Sequence, residues 1–403
     1  ITIPLFLSVL YSTLGDAQFS VYLSGLTGTF KTAISLVFQS FFGYFKEPPT
    51  GWEATANSLE AILFTAKDMV CLIDDFAPNG TMNEQNALKA KATRIMRSQG
   101  NGTGRLRLNS DTSFKAAKPP RGLLLITGED LPTGHSIRAR ALFLEIEKGR
   151  ISSEKLSDAQ AKARRGIYSA CTAHFIQWLA SDLDSIKERI DIRMTELRKD
   201  FPAGHGRTTD AVSFLYATAE LFADYAGASL EREAFLERCR KALTEAAKAQ
   251  AEYQKDADPT DRFISLLQAA FDSGVAHLEN RQEIVQHPDS YKFGWKHKDT
   301  SDGLKLLPQG NHIGWIPDNP NTEGIFLIPE ATYSTIVEFA RKQGETFPMG
   351  QKTLWKRLGE RNIVFKQDGR NTVNRRIRGK ATKVIAIKLD SLQNSQGDVS
   401  IFP

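Results

Sequence analysis

The stretch "GLTGTFKT", residues 25–32, stands between the apolar run "FSVYLS" and the apolar stretch "AISLVFQSFF". A β-type run entering a glycine-containing turn, followed by a segment of helical length, restricts the chain to folds in which a strand hands directly to a helix. That helix then points its N-terminus at the turn. A phosphate loop reads G-x-x-x-x-G-K-[ST]: glycines let backbone N–H groups face the phosphates, the lysine reaches the terminal phosphates, and the hydroxyl holds Mg²⁺. Gly25, Lys31 and Thr32 fall on their slots, and Leu26, Thr27, Gly28, Thr29 and Phe30 are the residues that would line bound ATP between them. Phe30 stands where a glycine normally precedes the lysine, a departure that is sterically tolerable if the ring faces the sheet. The competing reading is a strand-to-helix turn with a coincidental Lys-Thr.

The rest of the chain extends this pattern. Up to residue 150 the runs "FSVYLS", a stretch near "GWEAT", "MVCLID", "GLLLIT" and "ALFLEI" alternate with helical stretches, which predicts a parallel sheet covered by helices. From 151 to 287 long charged segments carry apolar residues at three- and four-residue spacing, as in "AVSFLYATAELFADYA", and predict a helical domain. From 288 to 403 Gly, Pro and Asn punctuation frames short strands, the helical stretches "PEATYSTIVEFARKQG" and "GQKTLWKRLGERN", and the β-type ending "TKVIAIKL". The expected fold is α/β: a P-loop NTPase core at 1–150, an α-helical domain at 151–287 and a third domain at 288–403.

Composition bounds the chemistry. At 403 residues, 41% hydrophobic and 25% charged, the chain has the balance of an ordinary globular protein with ample core material. Cys71, Cys171 and Cys239 lie far apart, with no histidine pair at ligand spacing beside them, so neither a disulfide framework nor a zinc site is supported and a reduced, cytoplasmic setting fits. No apolar run reaches the roughly 18 residues of a membrane span. "IPLFLSVLYSTLGDA" is short and broken by polar residues, so it is expected as a core helix and no membrane partner is expected. The chain starts at Ile1 rather than Met, which leads to the expectation of an upstream portion.

The net charge of +5 conceals two basic islands: residues 89–121 carry nine Lys/Arg against one acid, residues 352–388 carry twelve against two, and the remainder stands at −13. Cations concentrated in this way suit a polyanion, because neutralising phosphates supplies nonspecific nucleic-acid affinity. The competing reading is two solvated loops.

A phosphate loop that hydrolyses ATP needs a second strand ending in acids, to hold Mg²⁺ and to orient the attacking water. "MVCLIDDF" supplies Asp74, which would hold the metal with Thr32, and Asp75, which stands where a glutamate is more usual. Glu60, in "TANSLE" on the helix expected before that strand, is the alternative water-orienting residue. Without the loop, the acid pair reads as a cap or turn and Glu60 as a first-turn helix acid. "GLLLITGEDLP" brings Thr127 and Glu129 to a strand tip, either to touch the γ-phosphate or its water or simply to turn into a loop. In "GHSIRARALFLEI", Arg138 and Arg140 precede an apolar strand, a place from which a guanidinium can enter a neighbouring subunit's site and stabilise charge on the transferred phosphoryl. Arg140 is favoured and Arg138 is second choice; one of them can be a plain surface residue.

The succession "LSGLTGTFKT", "WEATANSLE", "LIDDFAP", "RSQGNGTGRLR" and "LLLITGEDLP", over residues 20–132, resembles the ATPase domain of phage, plasmid and genomic-island replication proteins, the domain-of-unknown-function family 927. These are similar to helicase modules of the RecA/AAA+ division of P-loop ATPases and are often joined to a primase. The family's W-x-x-T-x-N-x-L-E segment is matched by Trp52, Thr55, Asn57, Leu59 and Glu60, its glycine-rich basic segment by Gly100, Gly102, Gly104 and Arg105, and its T-G-E tip by Thr127, Gly128 and Glu129. Phe30 and Asp75 depart from the pattern, and the second departure shifts the water-orienting role toward Glu60. The C-terminal region also resembles what accompanies such ATPases: a recognition helix in "GQKTLWKRLGERNIVF", a basic wing in "KQDGRNTVNRRIRGKA" and a returning strand, together a winged helix.

The resemblance implies an ATP- and Mg²⁺-dependent DNA helicase or translocase in replication of a mobile element, working as a ring or other homo-oligomer on single- or double-stranded DNA, with a primase as an option upstream. The alternative is a DNA-binding initiator or regulator that uses ATP as a conformational switch. Candidate nucleic-acid contacts are Arg97, Arg105, Arg107, Lys115 and Lys118 in the first island, and Lys352, Lys356, Arg357, Arg375, Arg376 and Arg378 in the second.

Overall fold

Each of the five β-type runs of the first 150 residues becomes a strand of one sheet. The computed structural model describes residues 1–403 apart from 16, 131, 133, 202–205, 257, 283–286, 301–302, 346 and 394–403. In chain order come α1 (Thr2–Ser12), β1 (Ser20–Ser24), α2 (Lys31–Gln39), β2 (Thr50–Gly51), α3 (Ala56–Thr65), β3 (Val70–Phe76) and α4 (Met82–Asn101). A small hairpin, β4 (Arg107–Leu108) with β5 (Phe114–Lys115), precedes β6 (Leu123–Gly128), α5 (His135–Arg138) and β7 (Ala141–Glu145). The five main strands lie in the order β2-β3-β6-β1-β7, all parallel.

Alternation along the strands assigns side chains to two faces. Val21, Leu23, Val70, Leu72, Leu123, Leu125, Leu142 and Leu144 enter one core, with α1 and α2. Tyr22, Cys71, Ile73, Leu124, Ile126 and Phe143 enter another, with Leu59 and Leu63 of α3 and Ile95 and Met96 of α4. Strands buried on both faces read as continuous apolar runs, which is why the sequence displays them so plainly. β2 is too short to cover all of β3, and Gln39 completes the pairing by donating to Val70 O (2.8 Å) and accepting from Leu72 N (2.9 Å).

Five helices follow: α6 (Ser153–Arg164), α7 (Ile167–Ala180), α8 (Leu183–Leu197), α9 (Gly206–Ala226) and α10 (Arg232–Asp256). Phe175, Leu179, Leu215 and Leu243 from these helices share the first core with Val21 and Leu125 of the sheet. The chain accordingly divides into the compact units Ile1–Lys255 and Asp256–Pro403, whereas the change of periodicity had placed boundaries at 150/151 and 287/288. Periodicity marks where one type of element gives way to another, and a core can span that change.

The second unit contains α11 (Pro259–Asp272), β8 (Ala276–Asn280), the hairpin β9 (Trp295–Thr300) with β10 (Gly303–Pro308), β11 (Asn311–Ile316), α12 (Pro320–Glu323), β12 (Ile325–Leu327), α13 (Pro329–Lys342), α14 (Gln351–Glu360), β13 (Val373–Ile377), β14 (Lys380–Ile387) and α15 (Leu389–Gln393). Its five-stranded sheet runs β13-β14-β12-β11-β8, with β12 and β13 both antiparallel to β14. Among the described residues no helix is long and apolar enough to cross a membrane.

Candidate nucleotide and nucleic-acid sites

Residues 25–30 leave the C-terminal end of β1 and deliver the chain into α2, whose first-turn N–H groups lack helical partners and face the loop. Gly25 is required by space: a Cβ there would lie 2.6 Å from Ile146 O. Lys31 Nζ donates to Gly25 O (2.6 Å) and Leu26 O (3.0 Å) and stands 3.9 Å from Glu129 Oε1, while Thr27 Oγ1 donates to the same carboxylate. The ammonium is thus stationed inside the loop, with Glu129 of the β6 tip beside it.

Phe30 does not face the sheet. It is 43% exposed and adopts left-handed backbone at φ 67°, the conformation that favours glycine. For an L-residue this costs about 1–2 kcal/mol.

Strand parity brings the polar tips together. Asp74 continues the face of Val70 and Leu72, and Thr127 continues that of Leu123 and Leu125, so both project toward the α2 side. Thr32 Oγ1 donates to Asp74 Oδ1 (3.0 Å) and lies 3.1 Å from Oδ2, and Thr127 Oγ1 donates to Asp74 Oδ1. A hydroxyl and a carboxylate from two elements, hydrogen-bonded at the mouth of a phosphate loop, form an oxygen donor set suited to Mg²⁺. Asp75 sits in a register shift between Ile73 and Phe76 at φ 60°, exposed, with its N–H donating to Thr127 Oγ1 (2.9 Å).

Glu60 lies elsewhere. It is 6% exposed, and Arg94 (2.6 Å) and Arg107 (2.5 Å) each take one of its oxygens. Among the described residues no hydrogen bond or ion pair joins it to Lys31, Thr32, Asp74 or Thr127. One carboxylate that sequence reasoning missed stands one strand beyond Asp74 instead. Gly51 is the register partner of Asp74, and a Cβ built on Gly51 would lie 2.3 Å from Glu53 Oε2. A glutamate two residues after a two-residue strand has no periodicity to announce it.

The arginines occupy the other end of the sheet. Arg140 immediately precedes β7, and its carbonyl accepts from Ser20 N (2.9 Å) at the start of β1. The five residues of β1 separate it from its own loop by about 16 Å at about 3.3 Å per residue. Its guanidinium donates to Asn101 Oδ1 (3.2 and 3.1 Å) and Ser136 Oγ (2.6 Å). Burial, with Arg207 and Arg97 nearby, lowers its pKa from the usual arginine value. Arg207, from α9, donates to Gly100 O (2.6 Å) at the same place, a contribution that only packing reveals. Arg138 instead donates to Pro132 O (3.1 Å) and Tyr253 O (2.9 Å), tying the segment to α10.

The first basic island becomes α4 and the β4–β5 hairpin. Arg97, Arg105, Lys115 and Lys118 are exposed, and Arg107 is half-buried against Glu60 and Asn57. Leu106, Leu108 and Phe114 are exposed among them, Phe114 to 72%. In the second unit α14 buries Leu354, Trp355 and Leu358 and exposes Lys352, Lys356 and Arg357. On β13 Arg376 is exposed and Arg375 lies over the Phe326 ring, while Arg378 beyond it pairs with Glu279 (2.6 Å).

No protein-family model matches the chain, and no curated protein does. A solved structure described as "SCCmec type IV Cch - active helicase" is similar, with a TM-score of 0.62 and 11% identity over 97% of this chain and 68% of that one. At that identity the likeness speaks for the fold: an α/β, helicase-like arrangement around a parallel sheet.

Proposed function

We propose that the chain is an ATP hydrolase of helicase type that moves DNA in the replication of a phage, plasmid or genomic island. The observation that carries the reading is the hydrogen-bonded group Thr32, Asp74 and Thr127 at the mouth of a loop in which Lys31 is already stationed. ATP phosphates would take up the α2 N–H groups and the Lys31 ammonium. Thr32 and Asp74 would hold Mg²⁺, whose charge would offset the charge developing on the phosphates. Thr127 orients the Asp74 carboxylate, and Glu129 leaves Lys31 as phosphate arrives.

Arg140 cannot reach its own loop along the length of β1, so its service is to a neighbouring copy, and the active form is a homo-oligomer. The hairpin with Arg105, Lys115, Lys118 and Phe114 would grip a strand by phosphate contact and base stacking. The order β12, α13, α14, β13, β14, with β12 and β13 flanking β14, supports a winged helix whose α14 presents Lys352, Lys356 and Arg357 to duplex DNA. The deciding experiment is the ATPase rate with and without single-stranded DNA. Acceleration by DNA is expected of a motor; slow hydrolysis indifferent to DNA replaces this reading with an ATP-switched initiator, and absence of Mg²⁺-dependent ATP binding overturns both.

A further inference from the structure

Six carboxylates besides Asp74 lie near the loop or on the elements leading to it, and their surroundings distinguish them. Glu145, the register partner of Ser24, accepts from the Tyr253 hydroxyl, and the charge of Asp130 acts on Tyr22, on the opposite face of the sheet. Glu60 has both oxygens committed to arginines. Glu129 is engaged with Lys31 and Thr27. Asp75 follows Asp74 directly in left-handed backbone, and its charge acts on the Tyr22 hydroxyl, which belongs to the opposite face of the sheet. Glu53 remains, exposed, and among the described residues no hydrogen bond or ion pair engages its carboxylate.

Its placement follows from register. Paired residues on neighbouring strands project to the same face, so the Cβ direction of Gly51 is that of Asp74. The Glu53 carboxylate occupies that direction, since a Cβ on Gly51 would meet Oε2 at 2.3 Å and Oε1 at 3.0 Å. Neighbouring strands run about 4.8 Å apart, which sets this carboxylate one strand over from Asp74 on the face that α2 and Thr32 share. The missing side chain at Gly51 is what makes room for it.

We propose that Glu53 is the catalytic carboxylate that orients and deprotonates the attacking water, a role resting on the hydrolase reading above. Water gives a proton to Glu53 as its oxygen bonds to the terminal phosphorus. The bond from that phosphorus to the bridging oxygen breaks, and its electron pair leaves with ADP. The proton then departs with inorganic phosphate and the carboxylate is restored.

The test uses the full chain with Mg²⁺ and ATP, measuring turnover, affinity by titration calorimetry, and the identity of nucleotide retained on the isolated protein. Glu53→Gln is expected to lower turnover on the order of 10² or more, to keep ATP affinity within about threefold and to retain ATP where wild type retains ADP. It is also expected to lose affinity for ADP with tetrafluoroaluminate, a mimic of the transferring phosphoryl, while Glu60→Gln and Asp75→Asn keep it. Gly51→Ala, which evicts the carboxylate while leaving Glu53 in the chain, is expected to lower turnover at least tenfold. Turnover within threefold of wild type in both Glu53→Gln and Gly51→Ala overturns the inference and leaves the hydrolase reading standing, and so does loss of ATP affinity in Glu53→Gln. Absence of hydrolysis by wild type with and without DNA overturns both together.

Discussion

The two ends of the first sheet are chemical opposites. At the C-terminal ends of β1, β3 and β6 stand one lysine, the hydroxyls of Thr32 and Thr127 and the carboxylates of Asp74, Asp75 and Glu129, a set suited to metal and phosphate. At the N-terminal ends of β1 and β7, Arg140 and Arg207 converge on the last turn of α4, with Arg97 close by. The basic hairpin leaves from the same end, between α4 and β6. Strands of five to seven residues keep these ends apart within one chain. Positive charge gathered about 16 Å from the subunit's own loop, at about 3.3 Å per residue of β1, is the feature on which the proposed homo-oligomer rests.

The largest effect is expected at the loop and its complement. Lys31→Ala should abolish hydrolysis, because no other cation is stationed inside the loop among the described residues. Arg140→Ala should lower it by roughly 10³ to 10⁵, the range of an arginine acting on a neighbour's phosphoryl. Mixing the two inactive variants should restore part of the activity through interfaces that pair an intact loop with an intact arginine. Turnover per subunit that is independent of dilution, with no rescue on mixing, breaks the comparison by making each chain self-sufficient.

A smaller effect separates the hairpin from the loop. Neutralising Arg105, Lys115 and Lys118 together should reduce the salt slope of single-strand binding by about 2, from about 0.7 per phosphate contact. ATP affinity should be untouched. Phe114→Ala should weaken binding by about 1–3 kcal/mol if the ring stacks on a base, read by fluorescence anisotropy; an unchanged affinity assigns the exposed ring to some other surface.

The smallest effect concerns Phe30. Phe30→Gly relieves left-handed strain of about 1–2 kcal/mol and adds unfolded-state freedom of about 0.5–1 kcal/mol. Thermal stability should therefore rise slightly or stay level, and ATP affinity should be kept. A clear loss of stability would mean that the exposed ring packs on something in the folded protein and that the loop end of the comparison needs Phe30 itself.

Much of this was legible from residues alone because it is local. The five strand runs, the loop between β1 and α2, the acid pair ending β3 and the tip of β6 each announce themselves within about ten residues, and strand parity then dictates that Asp74 and Thr127 share a face. The condition set for Phe30, a ring facing the sheet, is not met, and the reason is local too: the residue takes positive φ and its ring is exposed.

What depended on distant partners was decided only by the fold. Glu60 matches its motif and lies against two arginines, one on α4 and one from the hairpin, a pairing across 34 and 47 residues. Helices α6–α10 read as a domain of their own, yet their apolar stripes join the core that also covers one face of the sheet, because amphipathicity states that a face must be covered and not by what. Glu53 and Gly51 carry no pattern of their own, and only the register of β2 on β3 sets them beside Asp74. Local propensity and periodicity are written residue by residue, whereas register, parity between strands and the choice of packing partner arise when segments far apart in the chain exclude water together.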